Sequence, residues 1–142
     1  MNAGSTISYS SSYTQNLTYG TNVDLSACKA STLHFSVRLQ DDPTYGSKTD
    51  KSERLYVMCS GDGGTTWNTI APSTWPANQS DCGTFFCSGT NSYDRSFPWT
   101  DVSISLPAAC ITAKARFRFQ AKGENVWNLL DPGWSVDTVS VN

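Results

Sequence analysis

The run Leu33-His-Phe-Ser-Val-Arg-Leu-Gln40 restricts the chain more than any other stretch. Leu33, Phe35, Val37 and Leu39 are apolar and alternate with His34, Ser36, Arg38 and Gln40. A period of two places one set on each side of a strand, whereas a helix would spread both sets around its circumference. Ala115, Phe117, Phe119 and Ala121 repeat the pattern against Arg116, Arg118 and Gln120. Both segments are expected as antiparallel strands with one face on a core and the other in water. Residues 53–59 and, more weakly, 6–10, 15–19, 102–106 and 134–141 are further strand candidates, and no segment sustains helical recurrence over three turns. Several short strands separated by turn signals imply an all-β, antiparallel two-sheet sandwich, and 142 residues make one domain, 1–142.

Between Leu55-Tyr-Val-Met-Cys59 and Trp67-Asn-Thr-Ile70 lies Ser60-Gly-Asp-Gly-Gly-Thr-Thr66. Asp-Gly and Gly-Gly supply the positive φ angles of a tight hairpin, so an architectural role is expected for Asp62. Longer connections, 41–52, 71–98 and 122–133, carry Tyr45, Trp75, Tyr93 and Trp127, with Trp99 following the second. Loops of that length are where recognition concentrates. In the last segment Trp134 and Val136 share one face of a regular strand while Val139 and Val141 share the other. One extra residue near Asp137-Thr138, a β-bulge, would restore the phase.

Charged residues are only 15% of the chain and the net charge is −2, so the basic footprint of nucleic-acid binding is missing. No run approaches the roughly 18 apolar residues of a membrane-spanning helix, and membrane insertion is not expected. No secretory leader opens the sequence, which suits either a trimmed export signal or a module taken from a larger protein. Cys28, Cys59, Cys82, Cys87 and Cys110 show no C-x2-C spacing and accompany a single histidine. Disulfides in an oxidising compartment are the better expectation, and hence a secreted or cell-surface location. Cys82 with Cys87 is the most local bridge. Cys28 and Cys110 each precede one of the two strongest strands, and those strands, as neighbours, either bring the two thiols together or hold them apart. Cys59 is then the odd, buried thiol.

The order Leu33-His-Phe, Glu53-Arg-Leu-Tyr-Val-Met-Cys-Ser-Gly-Asp-Gly-Gly-Thr-Thr-Trp67, Ala115-Arg-Phe-Arg-Phe and Gly133-Trp-Ser-Val-Asp-Thr-Val resembles the jelly-roll modules of secreted bacterial proteins. These are similar to MAM-type domains and to the accessory domain of immune-inhibitor-A-type metalloproteases. The resemblance spans roughly 24–142 and implies a jelly-roll sandwich. Ser60-x-Asp62-x-Gly64-x-Thr66-Trp67 also matches the Asp-box of secreted β proteins, in which the aspartate caps the turn and the tryptophan packs beneath it. Related jelly rolls hold a structural calcium ion beside the aspartate of the final strand. That resemblance puts Asp137 at the position, with oxygen ligands from Asp41, Asp42 or Glu53, although Thr138 stands where a second acid is usual.

No nucleophile–base motif, zinc-protease motif or phosphate-cradling loop is present, and the one histidine, His34, lies on the polar side of its strand. A non-catalytic module is expected. With strand 31–40 beside strand 113–121 and strand 53–59 in the same sheet, one wet face would carry His34, Arg38, Gln40, Tyr56, Met58, Arg116, Arg118 and Gln120. Guanidinium forks match hydroxyl pairs and carboxylates, and aromatic rings stack on the C–H faces of sugars. The expected ligand is therefore carbohydrate, such as a cell-surface glycan, held by Arg38, Tyr56, Arg116, Arg118 and Gln120 with the loop aromatics Trp99 and Trp127. Trp67 and Trp134 are expected in the core. The alternative is an accessory or adhesive domain that contacts protein.

Overall fold

A computed structural model describes residues 11–40, 53–70, 86–87, 97–126 and 133–142. Eight strands are described, β1 (Ser11–Thr18), β2 (Thr32–Gln40), β3 (Glu53–Ser60), β4 (Asn68–Ile70), β5 (Phe86–Cys87), β6 (Phe97–Ser105), β7 (Arg116–Val126) and β8 (Gly133–Val141). A 3-10 turn, Ala108–Cys110, precedes β7. All pairings are antiparallel and fall into two sheets, β1-β7-β3-β4 with β5 also on β3, and β6-β2-β8. The two-sheet sandwich expected from the alternation is thus the fold. The candidate strand at 6–10 lies outside the described residues.

The two strongest patterns sort their side chains as expected. Leu33, Phe35 and Val37 of β2 and Ala115, Phe117, Phe119 and Ala121 of the β7 segment are buried. They share one core with Leu55, Val57, Ile70, Val102, Ile104 and Trp134, so each sheet contributes its inner face. Phe35 meets Phe119 edge-on across the sandwich, with ring centroids 5.0 Å apart. β2 and β7 are consequently not neighbours in one sheet. They face each other through the core, which corrects the expectation that they pair.

That correction decides the cysteines. β7 lies beside β3, and Cys59 stands opposite Phe117 with its side chain buried. The turn leading into β7 therefore passes over the end of β3, and Cys110 forms a disulfide with Cys59. Cys28, which precedes β2 in the other sheet, is an exposed free thiol, and Cys110 is taken by Cys59. Cys59 was rightly expected to be buried but is a bridge partner and not the odd thiol. The local Cys82–Cys87 bridge lies outside the described side chains.

The 60–67 hairpin docks on the same turn. A Cβ on Gly61 would lie 2.0 Å from the carbonyl oxygen of Ala109, so only glycine permits the approach, and the Thr112 hydroxyl donates to the Gly61 carbonyl at 2.7 Å. Within the hairpin, Asp62 Oδ1 accepts the Thr65 and Thr66 amides at 2.9 Å each, and Oδ2 accepts the Thr66 hydroxyl at 2.6 Å. The Ser60 hydroxyl donates to Asp62 at 2.7 Å and accepts the Gly64 amide at 2.8 Å. The residue that looked architectural in the sequence does cap the turn.

The expected bulge is also present. His34 pairs with Ser140 but Ser36 pairs with Asp137, so β8 holds one extra residue, and Thr138 takes the positive φ of 52° that this requires.

The Cys59–Cys110 bridge closes a loop spanning 51 residues of sequence. By the chain-entropy account, its reduction or a Cys110→Ala change costs about 4 kcal/mol; denaturant midpoints with and without reductant measure this. Hydrogen bonds from the Thr66 hydroxyl, the Thr66 amide and the Ser60 hydroxyl hold the Asp62 carboxyl well below the usual carboxylate range. Its stabilisation is therefore complete above the ordinary aspartate value of about 3.9 and is lost as pH falls further, toward the depressed folded value. Melting curves from neutral pH downward should show Asp62→Asn less stable than wild type near neutrality, with the gap narrowing in strong acid.

Candidate functional site

Because Ala115, Phe117, Phe119 and Ala121 point inward, Arg116, Arg118, Gln120 and Lys122 stand in one row on the outer face of the five-stranded sheet. At about 3.3 Å per residue the row is about 20 Å long. Neighbouring strands support it level by level. Gln120 lies between Asn16 and Tyr56, and Arg118 between Thr18 and Met58. Gln120 Nε2 donates to Asn16 Oδ1 at 2.9 Å, Arg118 Nε to the Thr18 hydroxyl at 3.0 Å, and Arg116 Nη2 to the Gly20 carbonyl at 2.9 Å. The Arg118 guanidinium lies 3.9 Å from the centroid of the Trp67 ring, and the Lys122 ammonium 5.4 Å from that of Tyr56.

Trp67 is a second correction. It is half-buried on the outer face and not in the core. The hairpin turns it there: its indole N–H donates to the Gly64 carbonyl at 3.0 Å, and a Cβ on Gly64, whose φ is +97°, would come within 3.3 Å of the ring. Trp134 is in the core as expected.

The structure brings Tyr56, Arg116, Arg118 and Gln120 together and separates Arg38 from them. His34, Arg38 and Gln40 belong to β2, in the other sheet, so the single wet face of the sequence reading is two faces on opposite sides of the sandwich. Lys122 and Trp67 are the contributors that reading missed. Lys122 continues the phase of Arg116 and Arg118 one step past Ala121, a signal that was available; the outward turn of Trp67 left none. Trp127 lies outside the described residues.

On the three-stranded sheet Arg38 sits over Trp99, 4.9 Å from its ring centroid, and Trp99 is 46% exposed. Trp99 belongs to β6 and not to a loop. Ser36 lies between Asp101 of β6 and Asp137 of β8. Its hydroxyl donates to Asp101 and accepts from the Thr138 hydroxyl at 3.0 Å, while Asp137 accepts the Thr138 amide at 2.7 Å. His34 binds the Ser103 hydroxyl at 2.8 Å through Nδ1 and Asn142 Oδ1 at 3.0 Å through Nε2, tying three strand ends. Of the expected calcium ligands, Asp137 is exposed here, Glu53 starts β3 in the other sheet, and Asp41 and Asp42 lie outside the described residues. Among the described residues no three His, Cys, Asp or Glu side chains form a group able to hold a metal.

The two faces differ in charge. The described side chains on the outer face of the five-stranded sheet include Arg116, Arg118 and Lys122 and no acid, whereas Asp101 and Asp137 lie on the three-stranded sheet. Among the described residues no helix is long and apolar enough to cross a membrane. A comparison with curated proteins returns no match. The family model for Reelin subrepeat B, an extracellular type of domain, matches residues 2–142. With nearly the whole sequence matched and a two-sheet antiparallel sandwich observed, the chain belongs to the Reelin subrepeat B family.

Proposed function

We propose that this chain is a non-catalytic extracellular binding module that recognises carbohydrate through the outer face of its five-stranded sheet. One observation carries the reading: Arg116, Arg118, Gln120, Lys122, Tyr56 and Trp67 share that face, with three of them held by hydrogen bonds to Gly20, Thr18 and Asn16. Side chains held before the ligand arrives lose less freedom on binding. The hairpin below them, read as an Asp-box, serves the site by aiming Trp67. On a glycan array, Arg118→Ala and Tyr56→Ala should each weaken binding by about 5- to 30-fold, the 1–2 kcal/mol of a well-placed contact. Unchanged binding by both variants rejects the surface.

A second reading, an adhesive contact with protein, draws on the other sheet. Trp99 is 46% exposed beneath Arg38, a pairing of the residue types that dominate protein interfaces. A pull-down that captures protein but no glycan, and loses it on Trp99→Ala, favours this reading.

Structural calcium belongs to the proposal as well. Its expected ligand Asp137 is exposed on β8, where a cation could reach its carboxylate oxygens, the kind of ligand calcium takes. Calcium at about 100 times its Kd would add about 2.7 kcal/mol, a rise of roughly 5–10 °C in Tm over the chelated protein. Identical melting curves with calcium and with chelator remove the ion from the proposal.

A further inference from the structure

We infer that the ligand of this face is a linear polyanionic polysaccharide, bearing sulfate or carboxylate groups along its length and lying along β7. The inference rests on the glycan reading above and narrows it. A neutral sugar is usually held by stacking on a bare aromatic ring. Here Arg118 covers Trp67 at 3.9 Å and Lys122 lies against Tyr56 at 5.4 Å. A sugar ring would have to displace a cation to stack, whereas an anionic group meets the cation directly.

The arrangement of charge points to a polymer and not to a single anion. Arg116, Arg118 and Lys122 occupy outward positions of one strand, spread over about 20 Å of its length, so their charges form a line and not a single cluster. Arg118 spends its Nε–H on Thr18, and its four other N–H donors make no hydrogen bond among the described residues, leaving the forked edge that matches sulfate and carboxylate oxygens. Between the Arg118 and Lys122 levels, the Gln120–Asn16 amide pair offers donors and acceptors to sugar hydroxyls. That interleaving suits an anionic glycan better than a bare polyphosphate. The net charge of the chain is −2, so attraction to a polyanion has to come from this segregated row and not from the protein as a whole.

The test is titration calorimetry of the whole chain with heparin, with hyaluronan and with dextran, at several salt concentrations. Heparin and hyaluronan separate sulfate from carboxylate as the anion recognised, and dextran is the neutral arm. Binding of either charged polymer, with log K falling linearly against log salt, is the expected result. Arg118→Gln and Lys122→Gln should each lower affinity by about 5-fold and the salt slope by about 1. Among the described residues the Lys122 ammonium makes a ring contact with Tyr56 and no hydrogen bond, so its variant tests binding even if Arg118→Gln unfolds. Lys29→Gln removes the same charge from an exposed turn before β2 and should change neither quantity. Equal weakening by Lys29→Gln, or binding of dextran as tight as that of the charged polymers, overturns the inference while leaving the glycan reading in place. Failure of all three polymers together with a blank glycan array removes both.

Discussion

The contact on which the molecule depends is the one between Phe35 and Phe119 at the centre of the sandwich. Each ring belongs to the middle of its own sheet, and neither sheet can bury its apolar face without the other. Truncating either ring would cost about 3–5 kcal/mol, a large share of the stability of a domain this size. The same contact fixes the direction of β7. Once Phe117 and Phe119 are committed inward, the pleat leaves Arg116, Arg118, Gln120 and Lys122 no choice but the outer face. Core and candidate site are two sides of one strand.

A second constraint works at the end of the sheet. The Cys59–Cys110 bridge and the close approach of Gly61 to Ala109 hold the hairpin against the turn that enters β7. Asp62 and Ser60 then set the path of the loop, and Gly64 leaves room for the Trp67 ring. The indole ends on the outer face under Arg118. The hairpin is architectural in its own hydrogen bonds, yet through Trp67 it positions the guanidinium at the middle of the cationic row. On the opposite sheet the bulge at Thr138 has a comparable effect, bringing Asp137 level with Ser36 and Asp101.

Within each element the sequence was a good guide. Alternation over 33–38 of β2 and 115–122 of the β7 segment assigned the inward and outward side chains there, the phase break at Asp137-Thr138 announced a bulge, and the glycines around Asp62 announced the turn that Asp62 caps. Such features are legible because they arise from geometry within a few residues of chain. Arg38, Arg116 and Arg118 all face water from strongly patterned strands, and alternation says nothing about which sheet a strand joins. For the same reason the positions of Cys28 and Cys59 along the chain do not reveal which of them meets Cys110.

The alternating strands β2, β3 and β7, the two-sidedness of β2 and β7 and the capped hairpin were legible in the residues, since backbone pleat and turn sterics act locally. Tertiary structure alone decided that β2 and β7 oppose each other across the core, that Cys59 meets Cys110, and that Trp67 lies on the surface beneath Arg118. Those outcomes depend on which apolar faces bury most surface together, a property of the folded whole that no single stretch of residues encodes.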